Sequence, residues 1–259
     1  MRADGVVGAS GFELSEMLDA LERAGDAFVK LLRQLDAEDA VRPVPGMTWT
    51  VGETAAHMLT IIRRGLGDRR RSASIEGLAE LNDQAIGEVA EREPLALATL
   101  LEQDMREYLP RLRTVPDDAA RDIPVELHAG VHAELPTALS YQLFDFLAHG
   151  LDIASATRRS WTIDPASAVL TLRAALPALR PWVLDDAVAG PRQRVAFTFP
   201  GADFALVVEI GDGEYRVSSQ PRDEEAAETD PVTLFLAIGG RGEATDAVAK
   251  QLAPNFRPI

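Results

Sequence analysis

The amino-acid sequence predicts a bundle of four main α-helices followed by a smaller α+β domain with an antiparallel sheet. Before about residue 162, apolar residues recur at helical spacing in long segments. After that point, short segments alternate apolar and polar residues between turn residues. We therefore expect a helical domain over residues 1–162 and an α+β domain over residues 163–259.

The first two bundle helices have clear sequence signals. Residues 12–35 carry an apolar stripe at helical spacing, which predicts an amphipathic helix. Pro43 follows in the connection. Thr50 and Glu53 have the Thr-x-x-Glu spacing of a capping box, so we expect the helix that carries His57 to begin there.

The next helical segments are punctuated by glycine and proline. Residues 75–89 are compatible with a helix that glycines weaken. Pro94 can open a further helix at its first turn, and we expect the apolar stripe of that helix to be broken near Pro110. Residues 139–154 are apolar nearly all the way round, which predicts a helix buried inside the bundle. Before it we expect a long loop, marked by Pro116, Pro124 and Pro136.

The α+β domain is predicted from alternation and turn signals. Asp230 and Pro231 form an N-cap and first-turn pair for a short helix, which two glycines after residue 238 stop. The remaining predicted elements are a helix over 165–179, a meander of strands over 195–199, 204–210 and 215–218, and a last helix over 245–253.

Composition excludes several classes of function. The net charge of -15 disfavours binding to nucleic acids and to anionic membrane surfaces. No apolar run approaches the length of a membrane span, and the N-terminus lacks a secretory signal, so we expect a cytoplasmic protein. There is no cysteine, so any thiol chemistry must use an external thiol. The scarcity of lysine among the basic residues suggests GC-rich codons and an actinobacterial type of source.

One basic cluster stands out in this acidic chain. It consists of Arg63, Arg64, Arg69, Arg70 and Arg71. We interpret it as a solvated helix end. The alternative is that the cluster guides a small carboxylate substrate, because cationic patches collect anions.

His57, Asp145 and His149 are the candidate metal ligands. Asp145 and His149 lie four residues apart on one helix, which places their β-carbons about 5 to 6 Å apart on the same face. His57 would supply a third ligand from another helix. Two imidazoles and a carboxylate suit several divalent transition metals. The alternative interpretation is a buried Asp/His hydrogen-bond network in which His57 is a packed core residue.

His128 and His132 form a second pair at the same spacing. Prolines and a glycine surround them, so we expect a loop, and a metal site there is the weaker hypothesis.

Three segments together resemble the mycothiol-dependent maleylpyruvate isomerase family. They are Trp49–His57, the stretch from Asp145 through His149 to Asp152, and Gly240–Arg241. The resemblance implies a DinB-like four-helix bundle followed by a sterol-carrier-like α+β domain. It also implies a bundle metal, usually zinc, held by two histidines and a carboxylate.

Residue by residue, the resemblance assigns metal ligation to His57, Asp145 and His149. Asp145 stands where the family usually has glutamate, so its arm is one methylene shorter. Asp152 matches a recurrent aspartate that would orient a ligand or pack the helix. Arg241 would hold a substrate carboxylate, although a cation capping the preceding helix is an equal alternative.

The implied function is that of a metal-dependent enzyme. It would add or transfer a low-molecular-weight thiol such as mycothiol to a small, electrophilic substrate that carries a carboxylate. Whether the reaction is isomerisation, conjugation or hydrolysis stays open. The alternative function is a non-catalytic metal- or small-ligand-binding protein on the same fold. The expected partners are the substrate and the thiol, and the expected assembly is a monomer or a homodimer.

Overall fold

The computed structural model describes residues 6–8, 12–222 and 224–259. The backbone divides into two compact units, a helical unit over Glu13–Ile163 and a unit that contains Asp164–Ile259. The described residues before Glu13, which include the two-residue strand β1 (Val6–Val7), belong to the second unit. Within the described residues, no helix is both long enough and apolar enough to cross a membrane.

The helical unit is built around four long helices, as the apolar periodicity predicts. Counted in chain order among these four, the first helix contacts the third and the fourth. The second helix also contacts the third and the fourth. Shorter helices lie in the connections. In chain order the helices are α1 (Leu14–Leu32), α2 (Ala37–Ala40), α3 (Val51–Leu66), α4 (Glu76–Glu88), α5 (Pro94–Leu112), α6 (Asp117–Ala120) and α7 (Leu135–Thr157).

The start of α3 is fixed by the predicted capping box. The Glu53 amide donates to the Thr50 hydroxyl oxygen at 3.3 Å, and the Thr50 amide donates to the Glu53 carboxylate at 2.8 Å. These two bonds satisfy amide groups that have no partner within the helix. The cap therefore sets the position of His57 in the second turn of α3.

The bundle core is apolar and aromatic. Phe28 of α1 meets Phe146 of α7 edge to face, with ring centroids 5.6 Å apart, and both rings are fully buried. Along α7 most side chains are buried, which confirms the interpretation of its nearly all-apolar sequence. A polar side chain on α7 must therefore find a partner inside the bundle.

Pro110 does not end α5, because it lies in the last turn, where only a few hydrogen bonds remain to be lost. One prediction about the bundle was wrong. The expected long loop before α7 instead contains α6 and a hairpin of β2 (Pro124–Glu126) and β3 (His132–Glu134). A 3₁₀ turn over His128–Gly130 joins the two strands, and Pro136 lies in the first turn of α7.

The second unit has the predicted antiparallel meander. Its three main strands pair antiparallel, and a further two-residue strand pairs parallel to the first of them. The Thr233 amide donates to Asp230 at 2.7 Å, which confirms the predicted N-cap. The elements are α8 (Pro165–Ala175), α9 (Asp185–Ala189), β4 (Gln193–Thr198), β5 (Phe204–Gly211), β6 (Glu214–Pro221), β7 (Ala227–Glu228), α10 (Pro231–Ile238) and α11 (Ala247–Leu252).

Gly150 tests the packing behind α7. A β-carbon at this position would lie 2.1 Å from Cζ2 of Trp161, whose indole N–H donates to the Leu147 carbonyl at 3.1 Å. We expect Gly150→Ala to destabilise the protein by about 1–3 kcal/mol, because the indole must move. Gly87→Ala is the matched control, since no atom lies within 4 Å of the added carbon. Urea unfolding of the two variants checks this, and equal stabilities would contradict it.

Candidate functional site

Two histidines from different helices meet inside the bundle. His57 of α3 and His149 of α7 have ring centroids 5.2 Å apart, with the ring planes at 87°. The residues are 3% and 6% exposed, respectively. The structure therefore brings together two of the three predicted metal ligands, 92 residues apart in the chain, and removes both from water.

Asp152 orients the ring of His149. The Nδ1 atom of His149 lies 3.0 Å from Oδ2 of Asp152, one helical turn further along α7. A carboxylate only accepts hydrogen bonds, so Nδ1 carries the proton and donates it, which leaves the lone pair on Nε2. This is the arrangement in which a neighbouring carboxylate prepares an imidazole to bind a metal.

His57 has a buried nitrogen without a partner. Its Nδ1 atom has no hydrogen bond within the described residues. Burial holds the pKa of His57 well below its usual value, and the charges of His149, Arg64 and His128 lower it further. The ring is therefore neutral at pH 7. A neutral imidazole with an unsatisfied buried nitrogen offers a binding group to a ligand or metal.

Trp49 lies against both imidazoles. Its ring centroid is 4.8 Å from that of His57 and 6.4 Å from that of His149. The indole N–H donates to Oδ1 of Asp83 at 2.7 Å, which fixes the ring. No role is predicted for Trp49 from the sequence, where it is the first residue of the segment Trp49–His57, just before the cap of α3. In the structure it shields the imidazole pair from solvent.

Asp145 is half-buried, and the structure does not gather it with the two histidines. Among the described residues, no cluster of three or more histidine, aspartate or glutamate side chains could hold a metal ion. Burial lowers the pKa of Arg64, and the charge of Asp145 opposes that effect, so this carboxylate lies within electrostatic range of Arg64. The predicted ligand set is thus present as a pair of imidazoles, with the carboxylate one helical turn from His149.

The imidazole pair fits a tetrahedral metal. With Zn–N bonds of about 2.0–2.1 Å, two coordinating imidazoles have ring centroids about 5 Å apart. The observed spacing of 5.2 Å matches this value. Together with the unpartnered Nδ1 of His57, the spacing makes the donor set suitable for a divalent transition metal.

The basic cluster is only partly a solvated helix end. Arg63 follows the interpretation, since it is exposed and pairs with Asp104 at 2.9 Å. Arg64 does not follow it, because it is only 8% exposed and donates from Nη2 to Oδ1 of Asn82 at 2.7 Å. The local charge pattern gave no signal for this burial, which results from the packing of α4 and the 128–130 turn around Arg64.

His128 and His132 do not share a site. His128 is half-buried, and its Nδ1 accepts a hydrogen bond from the Ser72 amide at 3.0 Å. His132 is exposed, and its Nδ1 lies 3.2 Å from the Gly130 carbonyl oxygen. Burial and the charges of neighbouring arginines lower the pKa of His128 to about 4. His128 therefore belongs with the buried groups of the bundle rather than with His132.

Arg241 lies in the second unit, directly after the glycines that end α10. Its Nη1 donates to the Gly239 carbonyl at 2.8 Å and to the Ile259 carbonyl. The first contact is that of a cation capping a helix C-terminus, which was one of the two alternatives for this residue. The substrate-binding role of Arg241 stays a prediction.

Comparison with known proteins gives consistent matches. The family model "Mycothiol maleylpyruvate isomerase N-terminal domain" matches residues 21–154, just over half of the chain. A crystal structure of mycothiol-dependent maleylpyruvate isomerase has a TM-score of 0.52 and 16% identity, and that of a histidine-to-alanine mutant has a TM-score of 0.54 and 15% identity. Each alignment covers 89% of this chain and 90% of the other. No curated protein sequence matches the chain. The structural likeness shows a shared fold.

The buried histidines predict a stability loss in mild acid. The pKa values of His57 and His128 are lower in the folded chain than the usual 6.5, so below pH 6.5 the unfolded chain binds more protons. We expect the free energy of unfolding of the metal-free protein to fall between pH 7.5 and pH 5. In His128→Asn, where the amide oxygen can still accept from Ser72, the fall should be smaller. Urea unfolding at both pH values measures it, and an unchanged fall in His128→Asn would contradict the prediction.

Proposed function

The chain belongs to the mycothiol-dependent maleylpyruvate isomerase family, and from this premise we propose that it is a metal-dependent enzyme that uses a low-molecular-weight thiol. It would add or transfer a mycothiol-like thiol to a small electrophile that bears a carboxylate. The observation that carries the proposal is the buried pair His57 and His149, whose rings are spaced as metal-bound imidazoles are.

His57, His149 and Asp145 would hold the metal, with zinc the expected ion. A bound divalent cation lowers the pKa of a thiol or water that coordinates it, and so supplies a nucleophile near neutral pH. Three protein ligands leave a coordination position open, as catalytic zinc sites require. The short arm of Asp145 requires its carboxylate to turn from the region of Arg64 toward the imidazoles. The four-residue spacing on α7 allows this, because both residues share one helix face.

The residues of the chain prepare the site in three ways. Burial keeps His57 neutral, so that a ring lone pair is available at pH 7. Asp152 orients the ring of His149 and, in the neutral ring, holds the proton on Nδ1 so that the lone pair is on Nε2. Trp49 covers both rings and limits the access of water, which strengthens electrostatic interactions in the site.

The thiol must come from outside the chain, because the protein contains no cysteine. In an isomerisation, the thiolate sulfur would bond to one carbon of an activated double bond, and the π electron pair would move onto the conjugated carbonyl oxygen of the substrate. The remaining single bond would then be free to rotate. Expulsion of the same thiolate would then restore the double bond in the new geometry, with no net gain or loss of atoms. Arg241 is proposed to hold a substrate carboxylate.

The proposed location of the protein is the cytoplasm.

Metal content tests the proposed site directly. We expect purified wild-type protein, dialysed against zinc and then against buffer, to retain about one zinc per chain. His57→Ala should retain far less, because one of two imidazole ligands is lost. His132→Ala is the matched control, since this exposed histidine contacts only the hairpin backbone in the described structure. Elemental analysis measures the content, and equal zinc in wild type and His57→Ala would remove His57 from the site.

Turnover tests the proposed reaction. Wild-type protein with zinc and mycothiol is expected to isomerise maleylpyruvate, which a change in ultraviolet absorbance measures. The activity should be lost when either zinc or mycothiol is omitted. Asp152→Ala should lower the activity roughly 10–100-fold, because the ring of His149 is no longer oriented. Full zinc content without turnover on maleylpyruvate or other electrophiles would instead favour the non-catalytic binding protein.

A further inference from the structure

Arg64 is a buried cation on the same helix as His57 and within electrostatic range of it. It lies seven residues after His57, two helical turns further along the same face of α3. The residue is 8% exposed, and Nη2 donates to Asn82 at 2.7 Å. Its Nε–H is buried and has no acceptor among the described residues. A buried guanidinium with an unsatisfied donor is costly, so its position requires an explanation.

His128 presents a second donor to the same place. Its Nδ1 accepts from the Ser72 amide, so the proton of the neutral ring must be on Nε2. That Nε2–H lies 3.4 Å from Nη1 of Arg64, which is also a donor. Two donors cannot satisfy each other. Within the described residues this contact gives neither N–H group an acceptor, so both are available to a ligand oxygen.

The backbone holds His128 in this position at some cost. Ala129 has a φ of 56°, a left-handed conformation that is unfavourable for a non-glycine residue. The Ala129 amide donates to the Ser72 carbonyl at 2.8 Å, and the Ser72 amide donates to His128. This reciprocal pair of bonds ties the turn to the segment after α3. Strain of this kind is concentrated at ligand-binding sites.

The nearby carboxylates are already committed to other groups. Asp68 accepts from the Nε of Arg70 with both oxygens at 3.0 Å. Asp145 attracts Arg64 electrostatically but is the proposed metal ligand. Even with Asp145 in electrostatic range, the Nε–H of Arg64 has no acceptor among the described residues. A carboxylate fits, because its two oxygens accept hydrogen bonds from a guanidinium and from a neighbouring N–H.

We infer that Arg64 and His128 form a carboxylate-binding subsite two helical turns from His57 along α3, which positions the substrate by one of its carboxylates. The assignment of that carboxylate to the substrate rests on the proposed function. Arg64 is then a substrate-binding residue of the bundle itself, distinct from Arg241 of the second unit.

Titration calorimetry with maleate tests the subsite without metal or thiol. Metal-free wild type should bind maleate and should not bind maleamide, its uncharged diamide. Arg64→Met should weaken maleate binding roughly tenfold or more, as expected for the loss of a charged hydrogen-bonding partner. Arg63→Met is the matched control, because Arg63 is exposed and paired with Asp104. Its affinity for maleate should equal that of wild type.

A second measurement uses the unaltered chain, in case Arg64→Met folds poorly. The ¹⁵N–¹H signal of Arg64 Nε, assigned by its absence in Arg64→Lys, should shift when maleate is added to wild type. Equal binding of maleate and maleamide, equal maleate affinity in wild type and a folded Arg64→Met, or a stationary Nε signal would each overturn the inference. Arg64-dependent binding of maleate in a protein without thiol-dependent turnover would overturn the proposed function and leave the subsite standing.

Discussion

The burial of two imidazoles between α3 and α7 is the constraint on which the site depends. A buried polar ring is stable only when its nitrogens find partners. His149 has such a partner in Asp152, whereas Nδ1 of His57 has none among the described residues. The bundle thus keeps one nitrogen unsatisfied close to a second, prepared imidazole. A bound divalent cation would satisfy both rings at once, which is why the proposed metal site and the fold support each other.

Electrostatics couples this pair to the buried cation on the same helix. Arg64 lowers the pKa of both His57 and His128, so it helps to keep each ring neutral. Neutral rings can act as metal ligand or hydrogen-bond donor according to which nitrogen carries the proton. One buried positive charge therefore helps to keep His57 neutral, as a metal ligand must be, and, in the inferred subsite, attracts the anion that would react there.

The sequence predicted the features that depend on local spacing. The cap at Thr50 and the apolar character of α7 follow from residues within one or two turns, and both were correct. The burial of Arg64 could not be predicted, because a run of arginines is normally solvated and only distant segments enclose this one. The same holds for the role of Trp49. The hairpin before α7 was missed because prolines and short strands give a weak periodic signal.

The decisive measurement is the response of the histidine ring nitrogens to one equivalent of zinc, observed by long-range ¹H–¹⁵N NMR. Both His57 and His149 are expected to show a large change in one ring nitrogen each, complete at the same stoichiometry, while the signals of His132 stay in place. For His149 the affected nitrogen should be Nε2, since Nδ1 is bonded to Asp152. Unchanged rings, or a change in only one of the two, would contradict convergence of the pair on a metal.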